Sequence, residues 1–427
     1  METCCISTNG TLDLVNGNII PHFDVEGPLN KTGTFGSQTL LSTANTTANA
    51  ARHLWNFAQV WPQEFDIYKD KSENDRVGLW TESYGGRYGP GFAAYFHQQN
   101  EKIVNSSDTF TQINFDTLGV INGCIDLRTQ ETADPDYAYN PNNFGVTAIN
   151  RDQWTDAIEA FERPKGCIDQ IDNCLQLAAD LDPDMYGNVT LVNEVCYNTS
   201  TNCQAEVEAP YIFTSKVQQA LGVPVNFTLL SNNVGKAFNL TSDYSRRDPL
   251  GSIGDIAYLL EHNVQVALLY GDRDFDCNWA GVERVSIRYE SSVAFQAAGY
   301  ANITHDSDIW GQVRQHGNFS FSCIYQSGHM IPSYQPEAAL EVIRRAMNSK
   351  DVETDTLPPA PAPTCYLWAL SGTCAENQKD AVGDNISKIE NYVITYPEQP
   401  SGTCPNTPTS VASNDSELFG FHRPGVL

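Results

Sequence analysis

The stretch VGLWTESYGGRYGPGFAAYF, Val77 to Phe96, sets a serine between a short apolar run and a helical pattern. Val77-Gly78-Leu79-Trp80 has the length and composition of a buried strand. From Gly86 to Gln99, apolar residues at Tyr88, Phe92, Ala93 and Phe96 recur at helical spacing. Between them stands Thr81-Glu82-Ser83-Tyr84-Gly85-Gly86. A sharp strand-to-helix turn that lifts a serine hydroxyl clear of a sheet needs this order, with small residues close behind the serine. Thr81 occupies the position where a glycine is usual.

Three further strands are read from the pattern. Val264–Tyr270 is a nearly continuous apolar run, as expected of a parallel strand covered on both faces. Phe319–Tyr325 is another, followed by a predicted helix over Pro336–Met347 with proline at its start. Phe115–Ile121 reads as a strand between the Val77 and Val264 runs, and Thr47–Phe65 as a helix ahead of the first strand. In open parallel sheets, sites form at the carboxyl ends of strands. Ser83 follows the first strand, Gly271-Asp272-Arg273-Asp274-Phe275-Asp276-Cys277-Asn278 follows the Val264 run, and Ser327-Gly328-His329-Met330 follows the Phe319 run. Serine, acid, histidine is the chain order of α/β-hydrolases. A serine hydroxyl needs an imidazole to take its proton, and the imidazole needs an anion to fix its tautomer and stabilise its cation. Three aspartates alternate after the Val264 run, so position alone leaves the acid open. The D-x-D-x-D run also begins a calcium loop with Glu283 at its twelfth position. The sixth position, where such a loop needs glycine, is Cys277, so no metal is expected.

The chain has 427 residues, and 25 Lys+Arg against 52 Asp+Glu leave a net charge of -27. Such a surface repels nucleic acid and anionic membranes, and neither is expected as a partner. No run of 18 apolar residues is present, so no transmembrane helix is predicted. The start, METCCISTNGTLDL, has no basic n-region or apolar h-region of a signal peptide. Twelve N-x-S/T sequons nevertheless occur, at Asn9, Asn30, Asn45, Asn105, Asn188, Asn198, Asn226, Asn239, Asn302, Asn318, Asn385 and Asn414. They point to N-linked glycans and a secreted chain. Among twelve cysteines, Cys167, Cys174, Cys196 and Cys203 form two seven-residue steps around a longer loop. Four cysteines allow three pairings. The symmetric spacing favours a nest, Cys167–Cys203 outside Cys174–Cys196, over a zinc site that would want C-x₂-C pairs. Cys365 and Cys374 bracket another short loop and are further disulfide candidates, and Cys277 with Cys323 is an open pairing.

Taken together, "TESYGGRYGP", "GDRDFDCNW" and "SGHMIPSYQPEAAL" resemble the serine carboxypeptidase family, with the nearest likeness to its secreted filamentous-fungal branch, over roughly residues 10 to 390. The resemblance implies an α/β-hydrolase fold, a mostly parallel central sheet flanked by helices with an inserted disulfide-bonded cap. It implies cofactor-free release of single amino acids from peptide or protein C-termini, in a secreted or vacuolar setting. Carried over by motif, Ser83 is the nucleophile, Asp274 the acid and His329 the base. Tyr84 offers an oxyanion-hole N–H, and Glu82, Cys277 and Met330 contact substrate. In the family a protonated glutamic acid beside the nucleophile binds the substrate's terminal carboxylate. Burial raises such a group's pKa, so activity is expected to favour acid pH.

The implied organisation is a hydrolase core over 1–134 with the nucleophile elbow, a cap over 135–255, the rest of the core with Asp and His over 256–350, and a Pro-rich linker, Cys loop and disordered tail over 351–427. The family's upstream Gly-Gly-Pro-Gly segment, which completes the oxyanion hole, is not found, because the chain's one Gly-Gly pair is Gly85-Gly86. The first strands of the core and the export signal are therefore expected to be missing. The competing readings are a catalytically impaired or inactive truncated homologue, and an acyltransferase or esterase of the same fold.

Overall fold

The structure is a computed structural model. It describes residues 7–13, 19–21, 30–36, 43–64, 76–104, 110–139, 149–203, 232–244, 251–286, 295–296, 298–305, 308–355, 388–390 and 393–396. In chain order come β1 (Ser7–Asp13), β2 (Ile19–Pro21), β3 (Asn30–Gly36), α1 (Thr47–Glu64), β4 (Val77–Glu82), α2 (Gly85–Val104) and β5 (Phe115–Ile121). Helices α3 (Asp134–Tyr139), α4 (Arg151–Glu162), α5 (Cys167–Leu181), α6 (Thr190–Cys203), α7 (Asn232–Thr241) and α8 (Gly251–Glu261) follow. Then come β6 (Gln265–Gly271), α9 (Trp279–Ser286), β7 (Tyr300–His305), β8 (Asp308–His316), β9 (Phe319–Ile324), α10 (Ile331–Tyr334), α11 (Pro336–Met347), β10 (Lys388–Glu390) and β11 (Val393–Tyr396). The Pro-rich linker, Cys365, Cys374 and the tail lie outside the described residues.

The chain divides into two compact units, Met1–Phe57 with Cys167–Pro249, and Ala58–Gly166 with Leu250–Leu427. The first holds an antiparallel sheet in the order β2-β1-β3, with Ser7 opposite Gly36 and Asp13 opposite Asn30. The sequence gives no apolar alternation here, and these strands went unread. Their β-branched threonines suit extended backbone without it. In the same unit α5 and α6 are cross-linked by Cys167–Cys203 and Cys174–Cys196, the expected nest. Cys174, Ala178, Val192 and Cys196 form its small apolar interior. The start of α1 is pinned by Asp243, whose carboxylate accepts from the Thr47 N–H at 2.7 Å and the Thr47 hydroxyl at 2.6 Å.

The second unit is built on a six-stranded sheet in the order β4-β5-β6-β9-β8-β7. The first four strands are parallel and the last two antiparallel. Apolar residues alternate through the sheet into two cores. Leu118, Val120, Val266, Leu268, Tyr270, Phe319 and Phe321 face a cluster with Ala93 and Ala94 of α2, Ile256 and Leu259 of α8, and Val282 of α9. Ile121, Leu269, Val313 and Ile324 face Ala338, Ala339 and Val342 of α11. All seven residues of β6 are buried, as its unbroken apolar run requires. The β7–β8 hairpin extends the sheet past the predicted strands. Its residues mix Asn, His, Gln and Arg with the apolar ones, which hid it from a pattern search.

Candidate active site

Ser83 stands in the turn directly after β4, in the left-handed region at φ 61°. Its N–H donates to the Ile121 carbonyl at 3.2 Å, and its own carbonyl accepts from Gly86 N at 2.9 Å and Cys124 N at 3.0 Å. A non-glycine residue held at positive φ is strained, and such strain survives only where surrounding contacts over-determine it. The glycines behind it have a steric reason. A Cβ on Gly85 would lie 2.5 Å from Thr81 Cβ, and one on Gly86 would lie 2.7 Å from the backbone of Cys124. Thr81, at the position where glycine is usual, donates its hydroxyl to the Gly85 carbonyl at 2.8 Å and so locks the turn. Tyr84 follows Ser83 at the amino end of α2, where backbone N–H groups favour negative charge.

The loop after β6 and the loop before α10 are stitched together. Asp272 N–H donates to Ile324 at 2.9 Å, Arg273 N–H donates to Ser327 at 2.9 Å, and the Asp272 carboxylate accepts from Ser327 N–H at 3.2 Å. A Cβ on Gly271 would sit 2.3 Å from the Ser327 carbonyl, so the two loops meet only at a glycine. This geometry sorts the three alternating aspartates. Asp272 is spent on the loop, and Asp276 is exposed. Asp274, only 3% exposed, accepts from His329 Nδ1 at 2.8 Å. Its hydrogen bond is the main cause that raises the His329 pKa, against the lowering effect of burial. With Nδ1 protonated toward Asp274, the Nε2 lone pair is left for a substrate or nucleophile proton.

The sequence reading missed Asn122. It follows β5, at φ 41°, and β5 lies between β4, which leads to Ser83, and β6, which leads to the Asp274 loop. Its side-chain amide donates to Asp274 Oδ2 at 2.7 Å, and its oxygen accepts from Gly271 N–H at 3.3 Å, which fixes the direction of the amide. Asp274 thus accepts from Asn122, His329 and the Asp276 N–H, the last at 3.2 Å. The signal was present, since the strand-end rule that picked Ser83 and His329 applies equally to the residue after Phe115–Ile121.

Glu82, the last residue of β4, is half-buried. Desolvation raises its pKa most, the charge of His329 lowers it, and that of Asp274 raises it again. Ser83, Glu82, Asp274 and His329 therefore all stand at the carboxyl ends of parallel strands in one sheet, with Asp274 and His329 in direct contact. Met330, beside His329, is 37% exposed. Cys277 is fully buried and bonded to Cys124, and Cys323 is a buried free thiol, so the open Cys277–Cys323 pairing is corrected. Tied in this bridge, Cys277 presents no exposed surface, unlike Met330. Asn278 caps α9 by accepting from Gly281 N–H at 2.9 Å and donates to Asp134 at 2.6 Å. Burial pushes the Asp134 pKa up to about 8. Glu283 is no part of a calcium loop. Its carboxylate is taken by the Tyr300 hydroxyl at 2.5 Å and by Arg314 at 3.3 Å.

The family model described as serine carboxypeptidase matches residues 31–349. The chain is 41% identical to carboxypeptidase S1 homolog A of Arthroderma otae, covering 92% of this chain and 69% of that protein. It is also 41% identical to a carboxypeptidase Y homolog of Arthroderma benhamiae, covering 94% and 72%. The carboxypeptidase S1 of Penicillium janthinellum is 26% identical over 81% of this chain and 85% of that protein. Among solved structures, the prohormone-processing carboxypeptidase Kex1(delta)p from Saccharomyces cerevisiae aligns at 17% identity and TM-score 0.47, covering 73% and 69%. The chain belongs to the serine carboxypeptidase family, which has the α/β-hydrolase fold.

Proposed function

We propose that this chain removes C-terminal amino acids from peptides at acid pH through an acyl-enzyme. The observation that carries the reading is the Asp274–His329 hydrogen bond at the same carboxyl edge of the sheet that carries the strained Ser83 turn. In this mechanism His329 Nε2 takes the Ser83 hydroxyl proton as Oγ attacks the last peptide carbonyl. The Tyr84 N–H donates to the developing oxyanion. His329 then returns the proton to the leaving amine, and water, deprotonated by the same imidazole, releases the acyl group. Asp274 holds the imidazole in its productive tautomer and stabilises the cation.

Glu82 supplies the exopeptidase character. Burial favours its neutral form, which donates a hydrogen bond to the substrate carboxylate. An ionised Glu82 beside Asp274 would repel that carboxylate. Binding therefore falls as pH rises through the Glu82 pKa.

The secretory setting belongs to the same proposal. Asn188, Asn198, Asn239 and Asn302 are exposed sequon asparagines suited to glycans. Asn318 is a poor acceptor, because its amide already donates to Leu260 at 3.2 Å and Val264 at 2.8 Å. No helix of the described residues is long and apolar enough to cross a membrane.

The test uses N-blocked dipeptides with a free or an amidated C-terminus, assayed between pH 4 and 7. The free-acid substrate should lose its last residue and the amide should not, and Ser83→Ala should lower kcat by about 10⁶. Equal turnover of the amide, or activity that survives Ser83→Ala, would overturn the reading.

A further inference from the structure

The residues Ile121-Asn122-Gly123-Cys124, at and just past the end of β5, stand between the strands that lead to Ser83 and to Asp274. Each of them bonds to one flank or the other. Toward the nucleophile, the Ile121 carbonyl accepts from Ser83 N–H at 3.2 Å, and Cys124 N–H donates to the Ser83 carbonyl at 3.0 Å. Toward the acid, Asn122 N–H donates to the Leu269 carbonyl at 2.9 Å and its amide donates to Asp274 at 2.7 Å. The Gly123 carbonyl accepts from the Tyr270 hydroxyl at 2.7 Å. Cys124 reaches both ways, because its sulfur is bonded to Cys277, three residues past Asp274.

This short segment is itself braced. Gln130 folds back on it, accepting from Ile125 N–H at 2.7 Å and donating to the Gly123 carbonyl at 3.1 Å. The far end of the bridge is fixed as well. Cys277 is fully buried, and its neighbour Asn278 is held by Asp134 at 2.6 Å and by Gly281 N–H at 2.9 Å. Inside the same loop, Asp276 N–H donates to Asp274 at 3.2 Å. The nucleophile flank is the looser one, since β4 is the outer strand of the described sheet and all six of its residues are partly exposed. A hydrogen bond contributes about 0.5–1.5 kcal/mol net and opens and closes thermally, whereas the sulfur–sulfur bond stays closed.

We propose that the Cys124–Cys277 bridge is a positioning link, which holds the Ser83 turn and the Asp274 loop at a fixed separation so that His329 meets the serine hydroxyl. Neither sulfur takes part in the reaction. The inference rests on the acyl-enzyme reading, in which Ser83 and His329 react together, and not on the choice of peptide. The rival role is stability alone. A bridge between residues 153 positions apart stabilises by up to about 5 kcal/mol through the unfolded chain. That role lowers Tm on loss of the bridge and leaves the folded enzyme's rate unchanged. Positioning lowers the rate of the folded enzyme too, because a displacement of about 1 Å costs about 100-fold.

Cys124→Ser opens the bridge while keeping the backbone donor to Ser83 and nearly the same volume. Well below its Tm, the rate constant for labelling of Ser83 by a fluorophosphonate and kcat per titrated site should each fall by about 100-fold, with KM changed less than about threefold. Labelling needs no peptide, so failure of the peptidase reading leaves this readout standing. Cys167→Ser with Cys203→Ser removes a bridge from the other compact unit and should leave both rates within about twofold of the unsubstituted chain. Where Cys124→Ser does not fold, the unsubstituted chain is treated with dithiothreitol, its labelling rate is read, and its thiols are then alkylated and mapped. The loss of rate should follow the opening of Cys124–Cys277. An unchanged labelling rate in Cys124→Ser, an equal fall in the control, or a full rate in chains whose Cys124 and Cys277 are reduced would each overturn the proposal.

Discussion

The two halves of the candidate site are built differently. On one side stand β6 and β9, whose residues are all buried, and the loops that carry Asp274 and His329 are tied to each other by backbone and carboxylate hydrogen bonds. On the other side stands β4, the outer strand of the described sheet, with all six residues partly exposed. Ser83 and Glu82 at its end are held by the turn itself, through positive φ and glycine contacts rather than deep burial. Asp274 and His329 are thus fixed by a hydrogen-bonded interior, whereas Ser83 and Glu82 follow or end a strand whose residues are all partly exposed, and in the proposed mechanism this is the side that binds substrate. Substitutions on the buried side should act on the chemical step, and those on the open side, Ser83 itself excepted, on substrate binding.

The sharpest way to break that division is at Asp274 and the residue that orients it. Asp274→Asn should keep the packing and lower kcat by about 10⁴, because the imidazole is left in the wrong tautomer. Asn122→Ala removes one hydrogen bond to a charged group, a loss of about 1.5–3 kcal/mol, or roughly 10- to 150-fold in kcat with KM unchanged. A merely structural asparagine would instead reduce the fraction of active enzyme. The measurement is therefore kcat per site titrated with a fluorophosphonate. An unchanged value per titrated site would remove the positioning role and leave the buried side as scaffold only.

Much of this was legible in the residues, for identifiable reasons. Phe115–Ile121 and Pro336–Met347 were read to the residue, since an apolar run bounded by polar residues and a proline at a helix start leave little freedom. Ser83 and His329 were legible by position after strands. Among Asp272, Asp274 and Asp276 the residues alone left the choice open, and in the structure Asp274 is the one whose carboxylate touches His329. Asn122 carries no chemical signature of its own, since an asparagine after a strand is as common in turns as in sites, and only its bond to Asp274 distinguishes it. Cys124–Cys277 joins residues 153 positions apart, a separation about which local pattern says nothing. The β7–β8 hairpin escaped because its apolar residues are interleaved with polar ones along an edge.

On the open side, Glu82→Gln separates binding from chemistry. The affinity measured is that of a non-hydrolysable peptide bearing a free C-terminal carboxylate. In the unsubstituted chain, binding should weaken about tenfold for each pH unit above the raised Glu82 pKa, because only the protonated fraction is competent. Glutamine donates the same hydrogen bond at every pH, so its profile should stay flat. Identical profiles for the two proteins would show that Glu82 does not hold the carboxylate.

The smallest effect, in stability, tests whether the buried side is itself adapted to acid. In the fold Asp134 keeps its proton to about pH 8, against a reference of 3.8, because burial disfavours the carboxylate. Between those values the folded state binds more protons than the unfolded one, so stability falls as pH rises. His329, raised chiefly by its hydrogen bond to Asp274, acts in the same direction. Its extra stability is present below the unfolded histidine pKa and is lost as pH climbs through the raised one. Opposing groups include Glu341, lowered chiefly by its hydrogen bond from Arg344, and Asp355, held at about 2 by hydrogen bonds from Arg344 and Lys350, and their contribution is lost only as pH falls through those low values. Tm should therefore be higher at pH 5 than at pH 8. Asp134→Asn keeps an oxygen for the Asn278 donor and removes the ionisation, so it should flatten the decline and raise Tm at pH 8 by a few degrees. A Tm that rises from pH 5 to pH 8, or an unchanged slope in the variant, would place the acid adaptation on the open, substrate-facing side alone.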